Sequence, residues 1–270
     1  MMRALSLTGL RGERLHVVKR GRRRLPRSVL SIVVALLFWQ ITMGWLTPSV
    51  FIPSFFDVLR KGYELAADGA IFVHVGASLV RIMIGFLIGS VIGAPLGLFM
   101  GHFRSVRDFL DPFVQFFRFV PSIAWLTPAV IWFGIGEVSK IAIIIYVTVF
   151  IVAVNTTAGV MNVSKNKLLA AVTLGASRRQ VFLHVVLPAS VPFILTGMRI
   201  AMGNSFTAVV SAEMISANKG LGYLIYDARL WMATDTIFLG ILILGFLGLG
   251  TDILFRWLIK RFGRRYGAVA

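Results

Sequence analysis

A succession of long, nearly uncharged apolar stretches constrains this chain more than any other feature. Several windows reach about 18 residues or more, the length a helix needs to cross the hydrocarbon core of a bilayer. No water is available there to satisfy backbone amide groups, so an uninterrupted apolar run of this length reads as a helix. A mean hydropathy of +0.84 agrees. So does a charged fraction of 14%, against roughly one quarter in soluble domains. The chain is therefore expected to be an all-α polytopic membrane protein. We read six spans: Ser28–Leu46, Ser78–Gly101, Phe113–Phe133, Val138–Val160, Ala189–Ile215 and Thr236–Ile259.

Six spans put both termini on one side. Nine of the 28 Lys and Arg precede Ser28, among them the run Lys19, Arg20, Arg22, Arg23, Arg24. A basic arm of that kind also suits nucleic acid. Basic residues beside a first span, however, hold that end in the cytoplasm, and no nucleic-acid partner is expected. With this orientation the inner segments 1–27, 102–112, 161–188 and 260–270, together with Arg256, carry twenty Lys and Arg. The outer segments carry five: Arg60, Lys61, Lys140, Lys219 and Arg229. The expected arrangement is a multi-pass plasma (inner) membrane protein with both termini cytoplasmic. It comprises a basic segment 1–27, a first helix 28–46, a membrane domain 74–261 and a cytoplasmic tail 262–270. A signal peptide is not expected, because Val29–Leu46 is long for one and no small-residue cleavage site follows. The outer segments carry Asp57, Glu64, Asp68, Glu137, Asp227 and Asp235, either as a solvated face or as contacts to an external partner. Pro53–Ala67 reads as a short amphipathic helix on that side.

No catalytic constellation is visible. His16, His74, His102 and His184 are scattered without metal-ligand spacing, and there are no cysteines. No Gly-x-x-x-x-Gly-Lys-Ser/Thr loop is present to hold nucleotide phosphates. No mid-membrane pair of acids suggests a proton relay, which argues against a stand-alone secondary transporter. A membrane-embedded enzyme or scaffold finds no support either. If the chain moves a solute, the energy comes from another subunit, and the chain itself is not an enzyme and needs no cofactor or metal.

Four features within the spans bear on function. Gly85, Gly89, Gly93, Gly97 and Gly101 recur at every fourth position of the second span. Glycine weakens a helix by about 1 kcal/mol relative to alanine, so the row points to close packing of another helix. Pro95 lies among them and is a candidate kink. Pro121 and Pro128 interrupt the third span, which is tolerated where protein or a watery cavity satisfies the freed groups. Trp125 and Thr127 lie in that broken region. Three arginines fall near or within spans. Arg81 is read as snorkelling at the outer end. Arg118 and Arg199 lie at matching depth on two helices. They suit either an anion-attracting cavity or, alternatively, snorkelling or pairing with Asp108 or Asp111. In the fifth span, Asn204, Thr207 and Ser211 share a face, with Ser205 and Glu213 nearby. Such a face serves as interhelical glue or as the lining of a pathway.

Between the fourth and fifth spans lies a polar, basic segment, residues 164–188, read as a helical hairpin. Ser164 is positioned to cap its first helix and Gly175 to end it in a left-handed turn. Ser177 and Gln180 form a capping-box pattern for the second helix, which Pro188 is expected to close. A hairpin outside the bilayer offers a docking surface.

This hairpin resembles the cytoplasmic signature loop of permease subunits of ATP-binding-cassette importers: Glu-Ala-Ala, a short spacer, Gly, nine residues, then Ile-x-Leu-Pro. Here Ala170 and Ala171 precede Gly175, nine residues follow, and Val185-Val186-Leu187-Pro188 closes the match. Leu169 and Val185 replace the glutamate and isoleucine. The likeness runs from about His74 to Arg261. HVGASLVRIMIGF, FVPSIAWLTPAVIWFGIGEVSK, TGMRIAMG and SAEMISANKGLGYLIYDAR are similar to the branch importing taurine, aliphatic sulfonates and nitrate. The resemblance implies a type I importer permease fold and a homodimer of permeases. It also implies two ATPase subunits that bind ATP and Mg, and an external solute-binding protein. Ala170, Ala171, Gly175, Arg178, Arg179, Leu187 and Pro188 would couple to the ATPase, with the two arginines meeting acids on it. Arg118, Trp125, Arg199, Asn204, Thr207, Ser211 and Glu213 are the candidate pathway residues for a small anion. Asn204-Ser205-Phe206-Thr207 departs from the apolar, Trp-containing version of that branch, which leaves an aromatic carboxylate as an alternative cargo.

Overall fold

Five glycines on one helix set the architecture. The computed structural model describes residues 31, 34, 36–41 and 51–262. Segment 1–27, most of the first expected span and residues 263–270 lie outside the described residues. Helical residues 36–41 are followed by α1 (Phe55–Ala67), α2 (Ala70–His102) and α3 (Arg104–Phe119). A 3-10 turn (Ser122–Trp125) leads into α4 (Leu126–Phe133) and α5 (Glu137–Met161). Then come α6 (Lys165–Thr173), α7 (Arg178–Val181), a π-helical segment (Phe182–Val186), α8 (Leu187–Ser216), α9 (Leu221–Leu230) and α10 (Thr234–Phe262).

The glycines of α2 lie against α5. A Cβ on Gly85 would stand 2.6 Å from Ile144 Cβ, on Gly89 2.6 Å from Thr148 Cβ, and on Gly101 2.4 Å from Val160 Cβ. On Gly93 and Gly97 it would meet backbone, the carbonyls of Val149 at 2.7 Å and Ala153 at 2.4 Å. Both numbers rise together, so α2 and α5 run parallel. Parallel neighbours require the intervening chain to return along their full length. Residues 103–136 do this as a bent pair, α3 and the 3-10 turn with α4, at 96°. Helix α8 runs antiparallel to α5: Gly159 faces Phe193, Gly197 faces Asn155, and Thr148 and Ser205 hydroxyls meet at 3.2 Å.

Among the described residues, four helices are long and apolar enough to cross a membrane, five with the bent pair. The expected third span is thus corrected in form. Its helix begins earlier, at Arg104, and stops at Val120, which is extended (φ −74°, ψ 118°). Pro121 disfavours helical geometry at the residue before it, and Val120 takes the extended alternative. Pro128 breaks nothing, because it sits in the first turn of α4, where amide groups lack intrahelical partners anyway. Pro95 lies inside the unbroken α2, on an exposed face. The helix expected at Pro53–Ala67 is present as α1, capped by the Ser54 and Asp57 capping box.

The core is shared by α2, α4, α5 and α8, with Ile82, Phe86, Leu126, Ile144, Val152, Met202 and Val209 at its centre. The perimeter carries unpartnered apolar side chains, among them Val80, Leu87, Val91, Ile131 and Phe246, as a helix solvated by hydrocarbon requires.

Candidate functional site

Two features remain once the core is accounted for: a hairpin at one end of the bundle and a polar cavity that opens on its flank. The hairpin follows its local sequence. Helix α6 ends on Leu174, and Gly175 takes φ +79°. The Gly175 amide donates to the Val172 carbonyl at 2.9 Å and the Ala176 amide to the Ala171 carbonyl at 3.0 Å. This is the Schellman pattern, which satisfies carbonyls that a helix end leaves bare. Ser177 and Gln180 cap α7 reciprocally. Ser164 holds the N-cap position of α6 without a side-chain bond, so that expected cap is absent. Ala170, Gly175, Arg178 and Arg179 are exposed and Ala171 is half-buried. Leu169, Val172 and Leu174 expose 61–86% of their surface, an apolar face with no partner among the described residues. A cleft of about 390 Å³ lies between the arms, beside Ala171, Gly175, Gln180 and His184. The hairpin is rooted by Val160, Val163 and Val186 and by the His102 and Phe182 rings, 4.8 Å apart.

Pro188 does not close the second arm, contrary to expectation. The helix continues from Arg178 to Ile215 through the π-helical segment. A proline ring collides with the carbonyl four residues back, and a π-turn widens the helix just before it. The Leu187 amide donates to Phe182, five residues back. Leu187 and Pro188 therefore join the hairpin directly to α8.

The polar cavity, about 180 Å³, lies between the end of α3, the 3-10 turn, α5 and α8. It brings together Arg118, Asn204 and Thr207, as expected, with Ser122 and Tyr146 added. The Arg118 guanidinium lies 4.6 Å over the Phe119 ring, and no carboxylate among the described residues pairs with it. Tyr146 donates its hydroxyl to the Phe117 carbonyl, the group that Pro121, lacking an amide proton, leaves without its helical donor. The broken helix and the cavity are thus one feature. Proline was readable in the sequence; the tyrosine that completes it, 25 positions on, was not. Along α3, Arg107, Asp111, Gln115 and Arg118 recur at helical spacing. The first three line a second cavity of about 560 Å³ nearer the hairpin, against Val154, Thr157 and Met161 of α5.

The other expected pathway residues stand elsewhere. Trp125 lies behind Tyr146, ring centroids 5.4 Å apart, lining a separate apolar space of about 160 Å³ with Trp132 and Phe133. Thr127 is exposed on α4. Arg199 does not join Arg118, nor does it meet Asp108 or Asp111. It binds Asp252 of α10 through Nε at 2.5 Å and a second nitrogen at 3.2 Å. Ser211 donates to the Thr207 carbonyl outside the cavity. Glu213 is fully buried and bound to Arg81 at 2.7 Å. Arg81 itself, expected to snorkel, is only 2% exposed; opposite charges from two other helices hold it inside. Among the described residues no group of His, Asp and Glu is arranged to hold a metal.

Comparison with known proteins places this geometry. Residues 93–264 match the family described as binding-protein-dependent transport system inner membrane component. The taurine transport system permease protein TauC of Escherichia coli K12 is 37% identical over 254 residues, 92% of each chain. The putative aliphatic sulfonates transport permease protein SsuC of the same organism is 36% identical over 231 residues, 85% of each chain. The fold is shared with a chain of the MetNI methionine ABC transporter in an inward-facing conformation. That match has a TM-score of 0.61 at 17% identity, covering 80% of this chain and 98% of that one. A parallel α2–α5 pair, a bent return span and an exposed helical hairpin are therefore the parts of an importer subunit with no catalytic centre of its own: the chain belongs to the family of permease subunits of binding-protein-dependent ABC importers.

Proposed function

We propose that this permease forms the pathway for a small anionic solute of the sulfonate class. The observation that carries this reading is the unpaired Arg118 at a cavity shared with Asn204, Thr207 and Ser122. An unpaired guanidinium beside the apolar side chains of Val147, Phe150 and Ile151 attracts an oxyanion, and amide and hydroxyl groups supply directed bonds to its oxygens. The names of the relatives, taurine and aliphatic sulfonates, point to the same chemistry. The cavities stacked along α3 and α5 support a route from Arg118 toward the hairpin.

In this reading the hairpin, residues 164–188, faces the cytoplasm with both termini and docks into an ATPase that binds ATP and Mg. Two permeases, two ATPases and an external solute-binding protein complete the importer. The exposed polar face of α8, Asn204 and Thr207, then faces the second copy across the pathway. ATP-driven approach of the ATPases moves the hairpins together and opens the pathway outward; product release returns it.

An aromatic carboxylate is a second cargo, favoured by one observation. Phe117, Trp125, Tyr146 and Phe150 form a ring cluster beside the cavity, with centroids 5.1–5.9 Å apart. Uptake of taurine, methanesulfonate and benzoate by the reconstituted importer distinguishes the two. Arg118→Gln is expected to lower uptake about tenfold, the scale of one lost charge-assisted hydrogen bond, with assembly unchanged. Unaltered uptake kinetics would remove Arg118 from the pathway.

A further inference from the structure

The densest buried charge lies at the end of the bundle opposite the hairpin and takes no part in the cavity. Arg81 of α2, Glu213 of α8 and Lys140 of α5 are at most 3% exposed; Glu137, the first residue of α5, keeps 54% of its side chain accessible. Arg81 grips both Glu137 oxygens, Nε at 2.5 Å and a terminal nitrogen at 2.7 Å. Its other terminal nitrogen donates to Glu213 and to the Lys219 carbonyl, both at 2.7 Å. Glu213 also accepts from the Ser78 hydroxyl and the Gly222 amide at 2.8 Å. Lys140 donates to Glu137 at 3.1 Å. Two positive and two negative groups make the set neutral. The turn between α8 and α9 is moulded around it. Gly220 has φ +130°, and a Cβ there would lie 2.3 Å from the Glu213 carboxyl carbon.

Stability alone does not account for such a set, because apolar side chains often replace a buried ion pair without loss. What the planar guanidinium supplies is direction: it fixes α2, α5, α8 and the α8–α9 turn at one point. The hairpin is rooted at the other ends of α5 and α8. Between the two ends, the glycine stripe joins α2 to α5, while Gly197 with Asn155 and Ser205 with Thr148 join α8 to α5. These three helices form one wedge with the hairpin at one end and the charged quartet at the other.

We propose that Arg81 is a positioning residue for transport. By pinning the α8–α9 turn to α2 and α5, it makes the far end of the bundle move with the hairpin, so that ATP-driven approach of the partner ATPases opens the pathway. This inference rests on the hairpin reading above.

The test uses the full importer in proteoliposomes, with binding protein and with taurine, methanesulfonate and benzoate as probe solutes. Recovered complex, ATP hydrolysis with and without loaded binding protein, and uptake are measured. Arg81→Gln alone leaves Glu213 buried without its charge partner and risks misfolding. Arg81→Met combined with Glu213→Gln removes one charge of each sign and keeps an acceptor for Ser78 and Gly222. That double variant should assemble like wild type and still hydrolyse ATP. Stimulation by loaded binding protein should vanish, and uptake per complex should fall about tenfold, a typical coupling strength. Glu137→Gln, at the accessible arm, should fall in the same direction by less. Unchanged uptake and stimulation in the double variant, or a fall only in proportion to recovered complex, overturns the proposal. Gly175→Val, run in parallel, should lose the ATPase from the complex. Normal ATPase attachment and uptake there would overturn the hairpin reading and this inference with it; loss there beside normal uptake in the double variant overturns the quartet alone.

Discussion

Gly175 and two arginines show how much a single position can decide. A Cβ on Gly175 meets nothing within 4 Å, so the objection to a side chain is conformational. At φ +79° a β-branched residue is strained by about 1–3 kcal/mol, whereas asparagine tolerates the left-handed region. Gly175→Val should therefore insert normally and abolish uptake, while Gly175→Asn retains it. Immunoblots of membrane fractions beside uptake assays check both. Arg118 and Arg199 sit at similar depth in sequence but meet different surroundings. Arg199 is committed to Asp252, and its side chain is still 36% exposed. Screening then limits the pair to about 1 kcal/mol or less. Arg199→Gln should lower the melting temperature slightly and leave uptake per folded complex intact. Asp252→Asn added to it should cost less than the two separate effects combined. Lost uptake at an unchanged melting temperature would instead return Arg199 to the pathway.

At the scale of elements, the glycine stripe and the two proline sites do different work. The stripe lets two backbones approach, and no other residue type fits where a carbonyl stands 2.4 Å from the added carbon, as at Gly97. Gly97→Ala must push α2 from α5 and should destabilise the purified permease by about 1–3 kcal/mol, the usual scale of overpacking. Gly245→Ala on α10, where a Cβ meets nothing within 4 Å, is the control; it should be neutral or stabilising by up to about 1 kcal/mol through helix propensity. Thermal unfolding in detergent compares them, and equal melting temperatures would show that α2 and α5 have room to spare. Pro121 ends a helix where its predecessor turns extended, and the Tyr146 hydroxyl joins the Val120 amide on the Phe117 carbonyl. Pro188 leaves its helix running, because the widened turn before it accommodates the ring. The same residue type ends one span and sits inside another, so a proline by its presence does not mark a break.

Across the whole molecule, the wedge of α2, α5 and α8 carries the hairpin at one end and the charged quartet at the other, with the bent α3–α4 span beside it. Much of this was legible in the amino-acid sequence. The apolar stretches, the glycine periodicity, the Gly175 turn and the Ser177 capping box depend on residues within one or two helical turns of one another. Local sterics, missing amide protons and transfer to hydrocarbon act at that range. The signature at Ala170–Pro188 is local for the same reason. Three of the seven candidate pathway residues, Arg118, Asn204 and Thr207, meet in one cavity because helical spacing placed the latter two on one face. Ser211 bonds within its own helix, while the buried and paired charges were settled by distant neighbours. Arg199 joins Asp252 across 53 positions, Glu213 joins Arg81 across 132, and Ser78 reaches Leu221 across 143. A charge forced out of water must find an opposite charge, and spacing within one helix says nothing of which helix supplies it. Sequence by itself determined what each segment of this permease is, since that follows from the chemistry of adjacent residues. Tertiary structure alone decided which charge pairs with which, as Arg199 with Asp252 and Arg81 with Glu137 and Glu213, since pairing depends on how separate helices come to lie together.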